Sequence, residues 1–227
     1  MRMLSILHRH LSLSDKKGSI GMGAMIVFIA MVMVAGIAAS VLINTSNTLE
    51  LQSSQTGQET EREVASGIRV YNIIGNYNTR NVSGTLVSRF HNMSIMVTPC
   101  SGTNGIDLAE TIIQISNGSK MCILSYASVF AASASGNGMF STPGCFDLNA
   151  SEFSIIVVED RDSSLSQNNP ALNGGDKVLL NINLTACFGG LPGKDDIEGM
   201  VIVEEGAPGP FLFRTPGSNI DAVVEFM

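Results

Sequence analysis

Hydrophobic side chains follow two different rhythms along this chain. From Gly18 to Leu49 there is no charged residue, and within that stretch Ile20 to Ile43 (IGMGAMIVFIAMVMVAGIAASVLI) is an unbroken run of apolar and small side chains. As a helix rising about 1.5 Å per residue, the run would reach roughly 36 Å, enough to cross a bilayer core of about 30 Å. It is apolar on every side rather than along one stripe. Such a helix must be surrounded, by lipid or by copies of itself. After Glu50 the rhythm loosens: Leu49, Val64, Ile68 and Tyr71 keep helical spacing, while Gln52, Gln55, Gln58, Glu59, Glu61 and Glu63 are wettable. The spacing predicts one long helix over residues 19–77, weakened near Gly57, Gly67 and Gly75.

From Asn81 the period changes to two. Alternation predicts strands at Ser94–Thr98, Thr111–Ser116, Lys120–Tyr126, Phe153–Glu159, Lys177–Asn183, Gly199–Glu204, Gly209–Arg214 and Asp221–Phe226. Asn117-Gly118 is a hairpin signal between two of them. About eight strands divided by Gly, Asn, Ser and Pro turns predict a β-sandwich of immunoglobulin-like type. Ala131–Gly138 and Ser163–Gly175 read as its long excursions. The expected fold class is therefore α+β: a long N-terminal helix, then a β head over residues 78–227.

Charge gives the chain a direction. Arg2, Arg9, Lys16 and Lys17 precede the apolar run, and Glu50 is the first charge after it. The positive-inside rule places the N-terminus in the cytoplasm and the rest outside. A secretory signal peptide has a shorter apolar region, with its cleavage site after that region. Here the processing signal, Lys16-Lys17-Gly18, comes first. Cleavage between Gly18 and Ser19 would remove residues 1–18 and keep the apolar helix. A permanent single-pass anchor with a basic stub is the plainer reading of the same flanks.

The stretch DKKGSIGMGAMIVFIAMVMVAGIAASVLINTS resembles the start of an archaellin, the archaeal flagellin of the archaellum filament. The resemblance continues through Thr56-Gly57-Gln58-Glu59, Val64-Ala65-Ser66-Gly67, Gly105-Ile106-Asp107-Leu108, Gly174-Gly175-Asp176 and Glu205-Gly206-Ala207-Pro208-Gly209. Near the end it includes Thr215-Pro216 and Val223-Val224-Glu225, so that it covers almost everything from Lys16 onward. Two departures stand out: an 18-residue leader, long for the family, and Gly21-Met22-Gly23 where Gly-Ile-Gly is usual. Bacterial type IV pilins carry Glu at the fifth mature position, where this chain has Gly23, which favours an archaellin over a pilin.

The resemblance implies a structural subunit that polymerises through its helix into a swimming filament. It implies processing by a prepilin-type signal peptidase, a membrane-inserted precursor and an extracellular product. Its partners would be copies of itself or related archaellins, together with oligosaccharide transfer machinery. An archaeal type IV pilus subunit for adhesion is the alternative, and a membrane-tethered binding or enzymatic ectodomain a more distant one.

Composition narrows the chemistry. The chain has 227 residues, 44% of them hydrophobic, which excludes a disordered chain. Its net charge of -7 argues against nucleic acid as a partner. Its three histidines, two of them in the first ten residues, leave little for a histidine-based catalytic or metal centre. No GxSxG, HExxH or P-loop is present, so the head has no catalytic set and requires no cofactor.

Four kinds of residue carry other chemistry. Ala35 with Ala39, and Gly36 with Ser40, are small pairs four apart that permit close helix approach. Six Asn-x-Ser/Thr sequons occur, where chance pairing of 17 Asn with 38 Ser and Thr gives about three. Asn81, Asn92, Asn117, Asn149 and Asn183 are expected glycan acceptors, and Asn44, at the end of the apolar helix, is not. Glu159, Asp160 and Asp162 form a dense carboxylate group, either a solvated turn or a site for a structural Ca²⁺ or Mg²⁺ ion. Cys100, Cys122, Cys145 and Cys187 lie outside the membrane, where disulfides are permitted. Four buried thiols are the equal alternative, and sequence cannot choose among the three pairings.

Overall fold

The computed structural model describes residues 2–82, 85–103, 105–217 and 221–226, without the side chains of residues 2–19, 62, 63, 80–82, 85 and 87. The chain divides into two compact units, Met1–Gln58 and Glu59–Met227. The described residues of the first are all helical, as part of α1 (Arg2–Ala65). No proline interrupts α1, and its glycines at 21, 23, 36 and 57 meet nothing that would displace the helix.

The second unit is built on β1 (Ile68–Val82), β2 (Thr85–Pro99), β3 (Ile106–Asp107), β4 (Ile112–Ser116), β5 (Met121–Ala131) and β6 (Glu152–Glu159). It continues with β7 (Ala171–Leu172), β8 (Lys177–Asn183), the short helix α2 (Leu184–Phe188), β9 (Asp196–Ile202), β10 (Gly209–Arg214) and β11 (Val223–Glu225). Nine of these strands make one sheet in the order β10-β9-β4-β5-β6-β8-β2-β1-β11, and β3 pairs with β7. All the sheet's pairings are antiparallel except β5 with β6.

The expected sandwich is realised as one large sheet that curls on itself, so the immunoglobulin-like label is approximate. Its two ends meet where Gly67 bridges Ala207: Ile68 N donates to Ala207 O at 3.1 Å, and Ala207 N to Ser66 O at 2.9 Å. Curling encloses one core, in which Phe90, Met93, Ile95, Ile113, Ile115, Phe153, Leu180 and Ile182 are fully buried. Truncating a buried phenylalanine such as Phe90 would cost about 3–5 kcal/mol. Aromatic rings seal the closure, with Phe213 stacked on Phe226 at 4.5 Å and Phe226 edge-on to Phe90 at 5.0 Å.

The helix predicted to run to Tyr77 ends at Ala65, and Ile68–Val82 is a strand. The cause is a β-bulge. Val70 pairs with Val97 and Asn72 with Met96, so Tyr71 is an extra residue. The inward set shifts from Ile68 and Val70 to Ile73, Gly75 and Tyr77. That break replaces strict alternation by one step of three, from Val70 to Ile73, and leaves the extra Tyr71 exposed. Gly75 is not a weak point in a helix: a Cβ there would collide with the Phe226 ring and lie 2.9 Å from Phe90 Cδ1.

Strands β6 and β8 are buried on both faces. Phe153, Ile155, Val178, Leu180 and Ile182 face the main core. Ile156 and Leu179 pack outward under Cys145 and Phe146, on the chain that crosses from β5 to β6. A polar ladder runs across this outer face: Ser94 Oγ donates to Asn181 Oδ1 at 2.7 Å, and Asn181 Nδ2 to Ser154 Oγ at 3.1 Å. Ser154 Oγ in turn donates to Cys145 O at 2.7 Å.

Candidate functional site

The most extensive unpartnered surface is α1 itself. From Ile20 to Ile43 its large apolar side chains are 51–73% exposed, where isolated exposure of this kind is costly in water. Among the described residues it is the one helix long and apolar enough to cross a membrane, spanning Ile20–Glu61 with a mean hydropathy of 2.8 over its best window. Ala30, Ala35 and Ala38 sit with Val27, Met31 and Val34 along a shallow apolar groove. At about 100° per residue, Gly36 and Ser40 lie on the opposite side of the helix from that groove, with Ala39 between. The small residues therefore open two faces, not one. Lys16, Lys17, Gly18 and Ser19 lie on the helical backbone of α1, and their side chains fall outside the described residues.

The carboxylates are regrouped relative to expectation. The oxygens of Asp160, Asp162 and Asp176 lie within 4.8 Å of one another, and Asp176 is fully buried. Glu159 is elsewhere: it ion-pairs with Lys177 at 2.7 Å and with Arg161 at 3.9 Å, and Lys177 holds its carboxyl below the usual range. The cluster is wound tightly by its own loop. Asp160 Oδ1 accepts from Ser163 N at 2.8 Å, and Asp176 Oδ1 from Arg161 N at 3.1 Å. Asp162 Oδ2 accepts from Asn173 Nδ2 at 2.7 Å, and that bond, aided by Ser164, lowers the Asp162 pKa. Such a set can either brace the loop or offer oxygens to a hard divalent cation. Asp176 was visible in the sequence only as part of Gly174-Gly175-Asp176. Its approach depends on the loop 163–175 folding back, which local patterning does not encode.

The sequon asparagines are unequal. Asn149 is exposed, with Nδ2 donating to Glu152 Oε2 at 2.9 Å. Asn117 is half-buried in the β4–β5 turn, and its Oδ1 accepts from Lys120 N at 2.9 Å. Asn183 is spent as the N-cap of α2, accepting from Thr185 N at 3.1 Å and Ala186 N at 3.2 Å while Nδ2 donates to Leu148 O at 3.0 Å. Asn92 is buried at 7% exposure, and its sequon serine, Ser94, belongs to the buried ladder. The Asn81 side chain lies outside the described ones. Asn44 lies on α1, where its carbonyl accepts from Thr48 Oγ1 at 2.9 Å. All four cysteines are free thiols; three are buried and Cys100 is half-buried.

A family model described as archaeal-type flagellin matches residues 18–213. Flagellin B2 of Methanocaldococcus jannaschii is 38% identical over 210 residues, covering 92% of this chain and 93% of that protein. Flagellin B1 of Thermococcus kodakarensis is 32% identical over 287 residues, covering 92% and 98%. Among solved structures, the crystal structure of the archaeal flagellin FlaB1 from Methanocaldococcus jannaschii matches with a TM-score of 0.63 and 26% identity, covering 71% of this chain and 97% of that one. The archaeal flagellum of Methanospirillum hungatei shares the fold at a TM-score of 0.59 and 16% identity, covering 90% and 98%. With the family model spanning most of its length and relatives above 30% identity along nearly all of it, the chain belongs to the archaeal-type flagellins.

Proposed function

We propose that this archaellum subunit polymerises through α1, with copies of the Ile20–Ile43 segment packed in the filament core and the curled sheet outside. Membership of the flagellins makes the chain a structural filament subunit and not an enzyme. The observation that carries the assembly mode is the exposure of an all-round apolar surface along α1. Deleting the gene and examining cells by electron microscopy and swimming assays tests this reading. Loss of a rotating filament together with motility supports it. Loss of surface attachment with intact swimming would favour an adhesion pilus instead.

The same reading assigns the early steps. The precursor is held in the membrane by α1, and a prepilin-type peptidase cuts between Gly18 and Ser19 after the Lys16-Lys17-Gly18 signal. Oligosaccharide is then attached to the outer unit. Exposure favours Asn149 and the turn residue Asn117, with Asn81 a further acceptor, and burial and capping point away from Asn92 and Asn183. Asn44, exposed on the single α1, is left unmodified because packed copies would cover it. Peptide mapping of purified filaments should find Ser19 as the first residue and added mass on Asn149 or Asn117. An intact Met1, or glycan confined to Asn92 and Asn183, would overturn these assignments.

A further inference from the structure

Cys122 lies on β5 and Cys187 in α2, and both are buried in the main core. Cys122 Sγ donates to the carbonyl oxygen of Cys187 at 3.6 Å, and Cys187 Sγ to Ala150 O at 3.4 Å. The Lys120 ammonium also donates to the Cys187 carbonyl, which ties the start of β5 to α2. The two thiols are hydrogen-bonding neighbours. Burial, followed by the proximity of Cys122, pushes the Cys187 thiol up to about 12. The other two cysteines are in different surroundings. Cys145 packs in the outer cluster with Phe146, Ile156 and Leu179. Cys100 sits beyond the end of β2, with its N donating to Gly67 O at 2.8 Å. Among the four cysteines, Cys122 and Cys187 are the pair whose thiols are shown as neighbours.

We propose that Cys122 and Cys187 form a disulfide once the chain has left the cytoplasm, linking the β4–β5 hairpin to α2 inside the core. This rests on the extracellular placement of the head. Oxidising conditions outside the cell permit the bond, and closing it brings two adjacent sulfurs to about 2.05 Å. The oxidant is a low-molecular-weight disulfide, RSSR. The Cys122 thiol, the less buried of the two, loses its proton and attacks RSSR, forming a mixed disulfide and releasing RS⁻. The Cys187 thiol then loses its proton and attacks the Cys122 sulfur, expelling the second RS⁻. The two protons convert the released thiolates to two RSH, so the pair is oxidised by two electrons and RSSR is reduced by two.

The test uses filaments purified without reductant, acid-quenched, then denatured and alkylated before mass mapping. The expected result is a peptide pair joined through Cys122 and Cys187, with Cys100 and Cys145 alkylated. Reduction should lower the unfolding temperature by about 10 °C, as expected for opening a loop of this length. That difference should vanish in the Cys122→Ala/Cys187→Ala variant and persist in Cys100→Ala. Four alkylated cysteines, or any other pairing, would overturn the proposal. Cells with no filaments would contradict the filament reading instead, and the thiol mapping, done then on detergent-extracted chain, would judge the disulfide separately.

Discussion

At the scale of single residues, the carboxylates of Asp160, Asp162 and Asp176 show what a linear reading misses. Charge density along the chain singled out Glu159, Asp160 and Asp162. On a strand, however, partners are set across the ladder, and Glu159 stands opposite Lys177 in the β6–β8 register. Asp176 replaces it, brought in from the end of the folded-back loop. Three carboxylates within 4.8 Å repel one another, and here backbone amides and Asn173 offset that repulsion. A divalent cation would offset it further. If one binds, a hundredfold excess over its Kd adds about 2.7 kcal/mol, which raises the unfolding temperature by roughly 5–10 °C for a domain of this size. Thermal unfolding in Ca²⁺ and in chelator, with Asp160→Ala/Asp162→Ala as control, measures it. Identical curves in Ca²⁺ and chelator would leave the cluster as a loop brace.

At the scale of elements, the long runs were legible and the irregular ones were not. The apolar stretch of α1 announced itself by length alone, and β4, β6, β8 and β10 were read close to their observed bounds because their apolar positions are uninterrupted. Strand β1 was hidden by the bulge at Tyr71, and the first half of β2 by a second bulge at His91, where Asn76 pairs with Asn92 and Tyr77 with Phe90. The two-residue strands β3 and β7 are too short to carry a period. The five-residue helix α2 is fixed by the Asn183 cap, which the sequence presented as a sequon instead. For α1, Gly36 offers a sharp test. A Cβ at Gly36 meets nothing within 4 Å in the single chain, so Gly36→Leu should leave the fold unchanged. If copies pack closely there, the bulk costs on the order of 1.4 kcal/mol or more, and the concentration needed for assembly rises about tenfold or more. Sedimentation of the variant measures this; assembly equal to wild type would remove Gly36 from any packing face.

At the scale of the whole molecule, the two units satisfy water in opposite ways. The unit Glu59–Met227 encloses its own core by curling one sheet until Gly67 meets Ala207. The unit Met1–Gln58 leaves its apolar surface open, and needs lipid or copies of itself. That division was readable from composition, since the charge-free run and the alternating strands occupy different parts of the chain. The curl was not, because it depends on long-range pairing between residues near 67 and 207. A helical reconstruction of the purified filament by electron cryomicroscopy tests the central claim most directly. The account predicts Ile20–Ile43 helices at the axis, surrounded on all sides by copies, with the β units forming the outer layer. Helices lying at the periphery, or filaments held together by the β units with no helical core, would contradict it.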